Sequence, residues 1–158
     1  RVSKVVDGEI EAAILARAGL VRLGLEDHIA EVLDANTFLP AVGQGIVGLT
    51  CREEDRATIE RVSLLARDPD AWASAMAERA FLRAMKGGCN APVGGHASID
   101  GGTLRLAGRV LSVDGSRTVD GSVEGDVGRA EHLGNELADD MAARGGAELI
   151  EEARASLA

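Results

Sequence analysis

Lys86-Gly87-Gly88-Cys89-Asn90-Ala91-Pro92-Val93-Gly94-Gly95 is the stretch from which the fold can be read. A helical pattern runs into it and a strand pattern runs out of it. One thiol lies between, among glycines. A packing cysteine normally sits inside a regular element, so a cysteine on an open, glycine-rich turn is displayed rather than stored.

Upstream, Asp68-Pro69 signals a helix start: the carboxylate caps and the proline occupies the first turn, where its missing N–H costs nothing. Ala73, Met76, Ala77, Ala80, Phe81 and Ala84 follow at three- and four-residue steps, the spacing of one helix face. Gly87-Gly88 is expected to end this helix, since glycine adopts the left-handed C-terminal position cheaply. Downstream, strands are expected over 96–99, 103–113 and 117–124. Asp100-Gly101-Gly102 and Asp114-Gly115-Ser116 form the turns between them. Leu104, Leu106 and Val110 share one face of the middle strand, so helices should cover that side. Leu133, Leu137 and Met141 mark one such helix, ending at Gly145-Gly146; Leu149, Ile150, Ala153 and Leu157 mark the last. The fold class expected is α+β / α/β, with a C-terminal domain of three antiparallel strands and helices packed on them.

Further upstream the pattern is weaker. Residues 9–15, EIEAAIL, read as a buried strand, and 16–33 as helical turns broken at Gly19 and Gly24, with Leu20, Leu23, Ile29 and Leu33 on a core face. The apolar run 46–51 reads as a short strand. A helix is expected from Glu53, with Ile59, Val62 and Leu65 on its stripe and acidic residues favouring its N-terminus.

The bulk numbers exclude several functions. The 158 residues are 46% hydrophobic but only 2% aromatic, and the net charge is −9. Base stacking needs aromatic platforms and phosphate binding needs clustered cations, so no nucleic acid is expected as partner. No run is long enough for a membrane helix, so no membrane association is expected, and no signal peptide is visible. Two cysteines, Cys51 and Cys89, make neither a disulfide framework nor a zinc spacing, and His28, His96 and His132 are scattered. No metal site is expected, and the compartment expected is the cytoplasm, where thiols stay reduced.

Gly43-Gln44-Gly45-Ile46-Val47-Gly48 matches G-x-G-x-x-G, but a dinucleotide site needs a strand before it and a helix after it. The sequence offers neither. A plain glycine turn is one reading. A turn whose backbone N–H groups and Gln44 side chain meet an anionic ligand is the better one. For Cys89, the C-terminal end of a helix disfavours a thiolate, so rapid nucleophilic cycling does not suit it. A plain free thiol on a loop is one reading; a once-only covalent attachment, with the sulfur then acting as a tether, fits that electrostatics better. Cys51, at the end of an apolar run, reads as a packed core residue. Arg22 and Arg52 border apolar elements beside glycines, and arginine is the preferred fork for carboxylates. Asp139-Asp140 and Glu151-Glu152 have nothing to place them near a cleft.

Ala18-Gly19-Leu20, Arg22-Leu23-Gly24-Leu25, Leu39-Pro40-Ala41-Val42-Gly43-Gln44-Gly45, Cys51-Arg52, Ala77-Glu78-Arg79-Ala80 and Gly87-Gly88-Cys89 followed by Pro92 occur in the order and spacing of one family. The chain resembles porphobilinogen deaminase, also called hydroxymethylbilane synthase, over nearly its whole length. The resemblance implies a transferase of tetrapyrrole biosynthesis that joins four porphobilinogen units head to tail with loss of ammonia. The cofactor it implies is dipyrromethane, held by a thioether on Cys89. By the same likeness Arg1, Arg22 and Arg52 would bind acetate and propionate groups, Gln44 and Gly45 would line the cleft, and Arg79 would play a supporting structural part.

The likeness also implies three parts. Residues 1–37 would end a central lobe resembling a periplasmic binding protein, 38–67 would return to a first lobe of that kind, and 68–158 would be the cofactor-carrying α+β domain. The chain starts at Arg1 without Met, and the family's catalytic aspartate belongs to an N-terminal half not represented here. The expectation is therefore no catalytic residue among these 158, and no turnover by this chain alone. A monomer is implied for the full-length protein, with self-association open to this piece. The alternative is a non-catalytic binding module for a small carboxylate ligand, which leaves Cys89 without a purpose.

Overall fold

The computed structural model describes residues 1–66, 68–88 and 90–156. The chain separates into two compact units, Arg1–Asp34 and Ala35–Ala158.

The first unit holds two short helices, α1 (Val2–Val6) and α2 (Arg17–Arg22), and a single 3-10 turn at Glu26–His28. Gly24, at φ +65°, ends α2; the Leu25 N–H reaches back to the Leu20 carbonyl at 2.9 Å. Gly19, expected to break the helix, lies inside it. The strand expected over 9–15 is not formed: Glu9 and Ile10 donate to the Lys4 carbonyl, and the rest is irregular. An apolar run becomes a strand only when another strand offers a ladder, and none is present in this unit. The expected core face is not a core either: Leu20 and Ile29 are half-buried, while Leu23 and Leu33 are exposed.

The second unit begins with an irregular segment and α3 (Arg56–Leu65). Asp55 is the cap of α3, accepting from the Thr58 amide at 3.1 Å and the Thr58 hydroxyl at 2.7 Å. Thus the acidic run 53–55 precedes the helix rather than filling its first turn. The strand expected over 46–51 is absent, with Val47 and Leu49 exposed. Nor does α3 bury its stripe: Ile59 and Val62 are half-buried and Leu65 is open to solvent.

From residue 68 the architecture follows the sequence closely. Asp68 caps α4 (Pro69–Ala84), accepting from the Ala71 amide at 2.9 Å. Three strands follow, β1 (Val93–Asp100), β2 (Thr103–Leu111) and β3 (Thr118–Asp126), antiparallel in the order β1-β2-β3. Asp100 pairs with Thr103, so Gly101 and Gly102 alone make the first turn, both at positive φ as a type I′ turn demands. Helices α5 (Ala130–Ala143) and α6 (Gly146–Ser156) complete the unit. Leu157 falls outside the described residues.

One sheet face carries the core. Ala97, Leu104, Leu106 and Val110 meet Ala77 and Phe81 of α4, Leu133, Leu137 and Met141 of α5, and Leu149 and Ile150 of α6. A row of glycines crosses that face: Gly95 pairs with Gly108, and Gly108 with Gly121. A Cβ on Gly108 would lie 2.7 Å from Phe81 Cζ, and one on Gly121 2.8 Å from Leu137 Cδ1. The bare backbone is what admits these large side chains. The helices also touch closely, because a Cβ on Gly134 of α5 would lie 2.3 Å from the Ala77 carbonyl oxygen of α4.

Candidate functional site

The turn after α4 ends the helix by an unexpected route. The left-handed residue is Lys86, at φ 54°, not a glycine. The Lys86 N–H donates to Arg83 O at 3.0 Å and the Gly87 N–H to Leu82 O at 2.9 Å, the two bonds of a Schellman motif. Gly87 is needed as the next residue, since a Cβ there would lie 2.5 Å from Leu82 Cδ1. Arg154 of α6 fixes the same corner by donating to the Lys86 carbonyl at 2.8 Å. Beyond it, the Ala91 N–H donates to Gly88 O at 3.0 Å, and the Leu111 N–H of β2 donates to Pro92 O at 3.0 Å. Gly88 and Asn90 are exposed, and a Cβ on Gly88 would meet nothing within 4 Å. Cys89 itself, the proposed attachment point, lies outside the described residues.

The segment Leu39–Gly45 docks on the edge of β1. Ala41 bridges Gly94, and the Gly95 N–H donates to Pro40 O at 2.9 Å. Glycine at 94 suits this approach, as a Cβ there would lie a tight 3.1 Å from both Leu39 Cβ and Leu39 O. Val42 packs against the core beside Gly95. Next comes the turn, with Gly43 at φ 79° and Gly45 at φ 83°. The Gln44 N–H closes onto Ala41 O at 3.0 Å, and the Ile46 N–H onto Gly43 O at 3.2 Å. No helix follows within 46–52, which agrees with excluding the dinucleotide motif.

Glu78 holds this turn in place. It sits on α4, 4% exposed, and its two carboxylate oxygens accept from two different segments. Oε2 accepts from the Gly43 N–H at 2.7 Å, and Oε1 from the Ala97 N–H of β1 at 2.8 Å. Hydrogen bonds to a charged group contribute about 1.5–3 kcal/mol each, and a buried carboxylate without them would be strongly destabilising. In the sequence Glu78 stands out only as part of the Ala77-Glu78-Arg79-Ala80 motif, with no role of its own. Its signal was visible: a carboxylate set between the core positions Ala77 and Phe81 of α4 must find buried donors.

The candidate residues divide between the units. Arg1 and Arg22 lie in the first and are exposed. In the second, Gln44, Gly45 and Arg52 are exposed, as is Arg79 of α4. Of these, Gln44 and Gly45 follow directly on the segment that docks at the edge of β1. The Gly43 N–H, one of the backbone donors offered by the glycine turn, is occupied by Glu78. Cys51 is exposed, contrary to the expectation of a packed residue, because the strand that would have buried it does not form. The acidic pairs serve structure: Asp140 binds Arg144, Glu151 binds Arg154, and Glu152 binds Arg117. Among the described residues no group of three or more His, Cys, Asp or Glu could hold a metal, and no helix is long and apolar enough to cross a membrane.

Two family profiles match the chain. The porphobilinogen deaminase C-terminal domain matches residues 72–143, and the porphobilinogen deaminase dipyromethane cofactor binding domain matches residues 1–60. Among similar proteins, the porphobilinogen deaminase of Pelobacter propionicus is 43% identical over 152 residues, 96% of this chain and 49% of its own length. That of Geobacter sulfurreducens is 41% identical over 152 residues, 96% of this chain and 48% of its own. That of Corynebacterium glutamicum is 40% identical over 153 residues, 95% of this chain and 50% of its own. The chain spans about half the length of the curated relatives it matches.

Proposed function

The chain belongs to the porphobilinogen deaminase family, and from that premise we propose that its 87–92 loop is the anchor of a covalent dipyrromethane on Cys89. The observation that carries the reading is the loop's setting. A capped helix end, a bond from Arg154 and a bond from β2 hold its two sides, while Gly88 and Asn90 face open solvent. A bulky adduct between them meets no wall at Gly88.

The group carries carboxylates, which arginine forks receive in bidentate fashion; by the family likeness Arg1, Arg22 and Arg52, each exposed in its own unit, would take that part. Gln44 and Gly45 would add polar contacts. When bound, the dipyrromethane would supply the pyrrole end to which four porphobilinogen units are joined, each with loss of ammonia, before water cleaves the product from it as hydroxymethylbilane. The chain's own residues bind and orient, and a permanent thioether asks nothing of the thiolate after its single attack. The finer assignments follow from the same likeness: 1–37 as the end of a central lobe, 38–67 as a return to the first, 68–158 as the cofactor-carrying domain, and a cytoplasmic setting. In this reading these residues tether and orient, and complete turnover needs groups beyond them.

The test joins the 158 residues behind the N-terminal half of the Pelobacter propionicus relative and treats the purified protein with an acidic aldehyde reagent for pyrroles. A pink colour and product formation that both vanish in Cys89→Ser support the reading. Product formation unimpaired by that substitution would overturn it. A small-carboxylate binding module would bind ligand but give no colour.

A further inference from the structure

The two elements that flank the Cys89 loop are α4 before it and β1 after it. Both are gripped by the same carboxylate that grips the Gly43-Gln44-Gly45 turn. Glu78 projects from α4, its Oε1 accepts from Ala97 of β1, and its Oε2 accepts from Gly43. We propose that Glu78 is a positioning residue: a buried latch that sets the Gln44-Gly45 turn against α4 and β1, the elements on either side of the 87–92 loop. Only the naming of porphobilinogen as the ligand of that turn rests on the function proposed above.

Geometry singles out the carboxylate. Two N–H donors from separate segments need an acceptor with two free oxygens, and a glutamate provides it with no proton to place. Glutamine offers one oxygen and one NH2 group, so one backbone N–H would face another donor. Aspartate keeps the charge but is one methylene shorter and cannot span both. The remaining contacts of the segment, Ala41 with Gly94 and Pro40 with Gly95, lie before the turn. Glu78 therefore controls the last fixed point ahead of Gln44.

The experiment compares the 158-residue chain with its Glu78→Gln variant by residue-resolved amide exchange. Exchange at Gly43 should accelerate at least tenfold while the amide of Leu106, in the middle of β2, keeps its rate. Porphobilinogen should shift the Gln44 and Gly45 amide signals of the parent chain and bind at least threefold more weakly to the variant. Gly43 exchange that rises only in step with Leu106 would overturn the latch, reporting global loosening alone. Accelerated exchange with unchanged porphobilinogen affinity would overturn the positioning role. No response of Gln44 and Gly45 in the parent chain would overturn the ligand assignment, with the exchange comparison still deciding the latch. Should Glu78→Gln not fold, Glu78→Asp carries the same comparison.

Discussion

Lys86 occupies a backbone conformation that a side chain disfavours by about 1–2 kcal/mol. Its carbonyl is fixed by Arg154 and its N–H by Arg83 O, so the strain is held by contacts that a substitution leaves intact. Lys86→Gly should raise stability by up to about 1 kcal/mol in thermal unfolding; an unchanged or lower Tm would speak against the left-handed assignment. Asp114 offers a second residue-level check. The Ser112 hydroxyl first, then the Ser116 amide and hydroxyl, hold its carboxyl down at about 2. A depressed folded value means the turn's stabilising contribution is complete above the ordinary 3.8 and fades as pH falls through about 2. Carboxyl titration by NMR should place Asp114 near that lower value, and Ser112→Ala should move it back up. At this scale the sequence was legible where chemistry is local, as with Asp68 and Pro69. It was opaque where a residue answers a distant segment: Glu78 meets Gly43, 35 positions away.

The glycine row Gly95, Gly108 and Gly121 is what lets Phe81, Leu137 and Met141 press onto the sheet. Gly108→Ala should cost about 1–3 kcal/mol by overpacking against Phe81. Phe81→Leu in the same chain should recover part of that loss, a coupling read from a double-mutant cycle in denaturant. Gly134→Ala should cost more, since the obstructing atom is the Ala77 carbonyl oxygen and backbone cannot swing aside. Equal costs for the two alanines would contradict this packing. These contacts explain which elements could be foreseen. Helix α4 and the three strands carry their own caps, turns and periodicity, so their order and approximate bounds follow from short stretches. The run 9–15 has strand composition but no strand beside it in its own unit, and 46–51 shares a unit with β1–β3 yet joins none of them; composition alone does not make a ladder. The glycine row escaped notice because each glycine looks ordinary until the register aligns them.

A net charge of −9 over the chain does not set the field at a site, so the proposed binding of acidic pyrroles rests on local arginines. Arg22 and Arg52 stand exposed in separate units, and Arg22→Glu or Arg52→Glu in the joined protein should each weaken porphobilinogen use by tenfold or more, with fold stability unchanged. The effect should shrink as salt rises. At whole-molecule scale the family was legible because short motifs such as Leu39–Gly45 and Gly87-Gly88-Cys89 keep their order and spacing along the sequence, whereas the arrangement of the two units is not written in any short stretch. The central claim concerns a single sulfur, and peptide mass spectrometry of the joined protein supplied with porphobilinogen tests it most directly. The account predicts a dipyrromethane-sized increment on the peptide containing Cys89, retained in Cys51→Ser and gone in Cys89→Ser. An increment on Cys51 instead, or an unmodified Cys89 in a protein that turns over, would contradict it.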